Sequence, residues 1–169
     1  NERVELPLRE TAEDLTQPGE EYTFRYDFSV DWGDESPVQR VTSYDDEHRT
    51  HTYEKSGRYT VKISGTMETI AFDDDTDSMD LLVSIPNLGA VGWKSFEDAF
   101  SGCRNLTIIR GGDTGAVTNM AYMFSSAVQA TPETSTWDTS KVVSMEAMFQ
   151  GTGMANPDTS QWNTSSVTD

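Results

Sequence analysis

The chain has 169 residues and a formal net charge of −17, with one cysteine and two histidines. Residues 1–80 carry 21 acidic and 8 basic side chains, against 8 and 4 in residues 81–169. That balance excludes nucleic acid, whose phosphates need concentrated Lys and Arg, and it disfavours an anionic membrane surface. No apolar run is long enough to cross a bilayer. The length suits two modest modules. Cys103 stands alone, so no internal disulfide can brace either of them and each must rest on its core.

In chain order, Val4, Leu6 and Leu8 alternate with polar positions around Pro7. This predicts an edge strand, because proline cannot donate to a central ladder. Tyr22, Phe24, Tyr26, Phe28 and Val30 alternate with Thr23, Arg25, Asp27 and Ser29, the period of a strand with one buried face. Asp45, Asp46 and Glu47 form a short acidic turn. Tyr59, Val61 and Ile63 predict another strand over YTVKIS. Short strands between polar turns are expected to pack as an antiparallel β-sandwich.

Two motifs sharpen this. VDWGDES (Val30–Ser36) offers Gly33 for a turn closed to other residues and Asp34 to bond its backbone; HTYEKSGRYTVKISG (His51–Gly65) offers Gly57 as the corner before Tyr59. Tyr59 is placed like a tyrosine corner, and His51 is expected to support the same turn. Together they resemble the polycystic-kidney-disease-type domain, over roughly Thr16 to Phe72. The resemblance implies an immunoglobulin-like sandwich. The chain departs from it at Glu35, where that family usually has glycine.

FDDDTDSMD (Phe72–Asp80) is the one concentrated constellation. Asp73, Asp75 and Asp77 alternate, a spacing by which a loop can turn several carboxylates toward calcium. The loop lacks the glycine and the final glutamate of a helix-loop-helix site, and a hydrated acidic linker is the competing reading. The Asp45–Glu47 turn is a shorter instance.

The second half repeats itself. Asp113–Trp137 aligns with Asp138–Trp162 without a gap, and Asn163 opens a third copy with Val167 in register with Val117 and Val142. An earlier copy places Phe96, Ala99 and Phe100 in the positions of Met120, Met123 and Phe124. A fixed period of about 25 residues predicts a solenoid, in which each unit buries its apolar face on a near-copy. The i, i+3, i+4 spacing of Met120, Met123 and Phe124, and of Met145, Met148 and Phe149, predicts one helical turn per unit facing the core, with a Met-rich groove as the other reading. Trp137 and Trp162 are expected to close each unit, or to offer a face to a sugar or peptide. The pattern D-T-S-x-V-x-x-M-x-x-M-F, with the opening segment Leu81–Ile108, is similar to the BspA-type repeats of bacterial surface proteins, an atypical leucine-rich-repeat family. The resemblance covers about Asp80 to Asp169 and implies a surface-exposed or secreted protein that attaches cells to proteins or to other cells.

No nucleophile elbow, phosphate loop, zinc spacing or dinucleotide fingerprint is present. Cys103 reads as a small buried apolar residue, with both histidines some fifty positions away. The sequence thus predicts a mainly β chain with short helices: an immunoglobulin-like antiparallel sandwich over 1–79, then a leucine-rich-repeat-like solenoid over 80–169. It is expected to be a non-enzymatic adhesion or recognition module, extracellular or on a bacterial cell surface. Its partners would be proteins or glycans, calcium is its one candidate cofactor, and its repeat end is expected to continue or to self-associate. A stalk-like spacer, or a non-catalytic part of a secreted enzyme, is the alternative. The charged opening and the stop within a repeat are expected of a piece of a longer protein.

Overall fold

The computed structural model describes residues 2–73 and 77–169. The chain is mainly β, in small sheets, and its helical content among the described residues is two single 3-10 turns, Glu47–Arg49 and Met79–Leu81.

The N-terminal half is antiparallel. Strand β1 (Glu2–Glu5) pairs with β6 (Thr50–Tyr53), β2 (Thr11–Glu13) with β3 (Glu21–Thr23), and β4 (Tyr26–Asp31) lies between β5 (Gln39–Val41) and β7 (Lys62–Met67). β1 is shorter than its pattern: it holds Val4 but ends before Leu6, Pro7 and Leu8, and among the described residues β6 is its one partner. The alternation from Tyr22 to Val30 holds, with Phe24, Tyr26, Phe28 and Val30 buried. It spans two strands, however. At Phe24 and Arg25 the chain leaves β2 and joins β5 and β7, and the Arg25 backbone N–H donates to the Glu68 carboxylate (2.8 Å) instead of to a ladder. The second predicted strand starts later than its pattern, at Lys62; Tyr59 instead stacks on Tyr53 (4.0 Å between ring centroids) and donates its hydroxyl to the Lys55 carbonyl (2.9 Å).

Close approach explains two glycines. A Cβ on Gly33 (φ +80°) would lie 2.6 Å from the Thr60 carbonyl oxygen, and one on Gly65 (φ +119°) 2.4 Å from that of Asp27. Glu35 shares the left-handed region at φ 67° without glycine's freedom. An L-residue there is strained by about 1–2 kcal/mol, partly offset by the entropy a glycine would lose on folding. Glu35→Gly is therefore expected to raise stability by about 0.5–1 kcal/mol, read as a shift in denaturant midpoint at unchanged slope.

In the C-terminal half, β8 (Ser84–Ile85), β9 (Ile108–Ile109) and β10 (Thr131–Pro132) form a parallel sheet, each strand contributed by the next repeat unit. A second parallel line runs Ser95, Asn119, Ser144. Between these lines Met120, Met123 and Phe124 are buried as expected, and Met148 with them, while Met145 and Phe149 are half-buried; neither Met/Phe segment is helical. They form a run of turns with Asp98, Tyr122 and Ala147, in equivalent positions of three units, at φ 53°, 55° and 47°. The reason lies in the amides. Met120, Tyr122, Phe124 and Ser126 donate to the carbonyls of Ser144, Glu146, Met148 and Gln150 one unit on, at 2.7–2.9 Å. Only the intervening Met123, Ser125 and Ala127 bond locally, to the carbonyl three residues back. A helix would need all of these amides for itself.

Phe100, Phe124 and Phe149 stack along the units at 5.7 Å per step, with Trp137 beside Phe124 and Trp162 beside Phe149, each at 6.4 Å. Thr114, Thr134 and Thr139 are buried and donate to the carbonyls of Asp138, Asp158 and Asn163. These hydroxyls sit inside without an unmet bond. The buried apolar residues of both halves form one continuous cluster.

Candidate functional site

Three features concentrate polar or exposed apolar side chains: the seam between the halves, a groove on the N-terminal half, and the trench beside Phe149.

At the seam, β7 runs on into residues 68–72, which lie against the first repeat. Lys94 N–H donates to the Glu68 carbonyl (2.8 Å), Thr69 Oγ1 donates to the Ser95 carbonyl (3.0 Å) and Phe72 N–H to that of Ala99 (3.3 Å). The Glu68 side chain is 2 % exposed. Its carboxylate accepts the Tyr22 hydroxyl (3.0 Å), the Arg25 backbone N–H, and both Nε (2.9 Å) and Nη2 (2.7 Å) of the Arg25 guanidinium. Arg9 adds a fork across the same boundary, to Glu97 (3.1 Å) and Asp98 (2.7 Å). This is a positional network, since every lone pair is directed at a partner and no space is left for a substrate.

The groove, of about 650 Å³, lies among Glu10, Phe24, Arg25, Asp27 and Tyr44. The charges of Glu10 and Asp45 hold the Tyr44 hydroxyl above its ordinary pKa. The Arg40 guanidinium grips Asp27 through two bonds (2.8 and 3.0 Å) and lowers its pKa. The charged side chains around this half-buried ring are thus already engaged with one another or with Glu68.

Trp32, fully buried, donates its indole N–H to Gln39 (2.9 Å) and stacks on His51 (5.1 Å). His51 Nε2 meets Asp34 Oδ2 at 2.8 Å, and the Ser36 backbone N–H reaches Asp34 Oδ1 at 3.2 Å. Ser36 and then His51 hold the Asp34 carboxyl down to about 2. A carboxylate depressed below its unfolded value of 3.8 stabilises the fold above that value, and this support is lost as pH falls toward 2. Asp34→Asn should therefore flatten the acid limb of thermal stability between about pH 4 and pH 2, read as melting temperature against pH.

Of the predicted calcium ligands, Asp73 and Asp77 are exposed on either side of a gap, and Asp75 lies outside the described residues. The described residues alone bring no three His, Cys, Asp or Glu side chains together around a cation position. Beyond the gap, buried Ser78 anchors the segment by accepting the Glu5 backbone N–H (2.8 Å). In the Asp45–Glu47 turn, Asp46 is committed to Thr42 and His48, and Asp45 to Ser43. Cys103 is fully buried, and burial pushes its thiol up to about 12.

A trench of about 510 Å³ is lined by Met145, Ala147, Met148, Phe149, Gln150 and Trp162. The repeat sequence located these residues, and the Met-rich groove that it offered as the other reading of the stripe falls on them. The seam carries a sign of its own: Glu68 precedes Lys94 by about one period, so residues 68–72 read in hindsight as a degenerate copy of the unit.

Residues 94–169 match the family model described as "Mycoplasma protein of unknown function, DUF285". Neither the curated proteins nor the solved structures yield a match.

Proposed function

We propose that this chain is a non-catalytic recognition module of the bacterial cell surface or extracellular space, binding a protein or glycan through its repeats. In this reading the N-terminal half is an immunoglobulin-like sandwich of the polycystic-kidney-disease type, and residues from about 80 onward form a BspA-type, leucine-rich-repeat-like solenoid. The observation that carries it is the parallel register of successive units, which lines up exposed side chains of neighbouring units in columns, as at Arg110 with Glu133 and Tyr122 with Glu146. The family match over residues 94–169 supports it, because that family occurs in BspA-like surface proteins. The Tyr59 bond to the Lys55 carbonyl supports the sandwich assignment. The absence of catalysis is argued from side chains already engaged: the thiol is buried with a raised pKa, and both histidines are tied to aspartates. No helix among the described residues is long and apolar enough to cross a membrane.

The test is binding of the purified chain to immobilised matrix proteins and glycans, in calcium and then in chelator. Saturable binding that is absent from a chain with its exposed repeat columns substituted is the expected result. Loss in chelator would assign the Asp73–Asp77 segment to calcium, whereas indifference to chelator would make it a linker. The continuous core favours a second reading, a stiff spacer, which predicts no binding in either condition.

A further inference from the structure

Strand β7 is the outer member of its sheet, with β4 as its one partner among the described residues. In an antiparallel strand the backbone groups of successive residues point to opposite sides. The Met67 N–H points away from β4, because it donates to the Val91 carbonyl (2.8 Å). By alternation Ile63 and Gly65 turn their backbone groups to the same outer side, where no backbone acceptor meets their N–H groups among the described residues. Val91 thus closes one end of this edge, and the stretch before it, with Gly65 exposed, is open.

The side chains along the edge are sorted by face. Arg58, Thr60, Lys62 and Ser64 are exposed, whereas Tyr59, Val61 and Ile63, between them, are half-buried against the core. The exposed face is cationic within an acidic half. Residues 55–67 hold Lys55, Arg58 and Lys62 and no Asp or Glu. Arg3, Arg9, Arg25, Arg40 and Arg49 are all paired with carboxylates. Lys55 and Arg58 have no ion pair among the described residues, and Lys62, whose side chain is 72 % exposed, reaches Asp31 only at 3.6 Å. The one run of cations without close partners in this half therefore lies along the one stretch of β7 whose backbone is open.

We propose that the outer edge of β7 takes up an extended segment of a partner protein as a further strand, with acidic and apolar residues alternating along it. Main-chain bonds to Ile63 and Gly65 hold the segment. Its acidic side chains fall beside Arg58 and Lys62, as cross-strand pairs of opposite charge, and its apolar ones beside Val61 and Ile63. Charge complementarity selects this occupant. A second copy of the chain is a poor one, since its own β7 would set cation against cation and each copy carries a net charge of −17. A short acidic segment brings few charges, and at physiological salt these act over about 8 Å, the range in which Arg58 and Lys62 prevail. The site lies on the N-terminal half, so this inference stands whether or not the repeat columns recognise an extracellular ligand.

The probe is a fluorescent synthetic peptide that alternates aspartate and valine over about nine residues, titrated with the full chain. Because the free peptide must order on binding, weak but saturable binding is expected, and added salt should weaken it further. Amide exchange at Ile63 and Gly65 should slow by at least about tenfold on saturation. A peptide of the same composition whose aspartates and valines no longer alternate should do neither. Lys55→Glu combined with Arg58→Glu changes two exposed side chains that make no ion pair, so the melting temperature should hold while binding weakens at least about tenfold. The proposal is overturned if the peptide fails to saturate, if exchange at Ile63 and Gly65 is unchanged on saturation, or if the double variant binds as tightly. A concentration-dependent dimer of the chain alone that protects the same two amides also overturns it. Should the double variant fold poorly, the exchange measurement on the unmodified chain decides alone.

Discussion

Phe124→Ala is expected to cost about 3–5 kcal/mol, the range for truncating a fully buried phenylalanine. Phe124 has no exposed surface and touches three rings at once, Phe100 and Phe149 at 5.7 Å and Trp137 at 6.4 Å. Its neighbours cannot close the gap, because interunit hydrogen bonds from the amides of Tyr122, Phe124 and Ser126 fix their spacing. At about 2–4 °C per kcal/mol for a chain of this size, the melting temperature should fall by about 6–20 °C. Denaturant titration followed by tryptophan emission would check this. A loss below about 1 kcal/mol would mean that the ring column collapses freely and does not set the stacking.

Glu68→Ala should destabilise by about 2–4 kcal/mol, by a different mechanism. The substitution leaves the Tyr22 hydroxyl and the Arg25 backbone N–H without their acceptor inside the seam. The guanidinium itself is 74 % exposed and can return to water, which places the figure below that of a fully enclosed pair. Glu68→Gln keeps an acceptor for the hydroxyl and should recover about half of the loss. Because Glu68 contacts both halves, amide exchange should quicken in β4 and around Ser95 together. Acceleration confined to the N-terminal half would show that the network braces the bend at Arg25 and not the seam.

The sequence made the mainly β character legible through the alternation of Tyr22 to Val30, because burial of one face acts directly on residue type. It made the repeat legible because each unit packs on a near-copy, so the same volumes recur. It misread the Met/Phe segments as helical. The i, i+3, i+4 spacing reports which side chains point inward and says nothing of where the amides go, and a run of turns buries the same three positions. Nor does the sequence mark Asp98, Tyr122 and Ala147 as left-handed, since none is glycine. Arg25 and Glu68 are 43 positions apart, and nothing local in either segment announces their pairing. The groove beside Tyr44 is likewise a product of tertiary placement. The Asp73–Asp77 cluster was the most visible chemical pattern in the chain, and one of its three carboxylates falls outside the described residues.

The bonds between units run along the direction in which the units stack, and this has a mechanical consequence. Tension drawn along that direction loads the interunit bonds lengthwise, so they yield in succession from the outermost layer instead of shearing together. Each unit of about 25 residues would then add about 80 Å of extended chain. Pulled from its ends, the repeat half should lengthen in even steps at low force and behave as an extensible tether, with the network at Glu68 setting where the peeling stops.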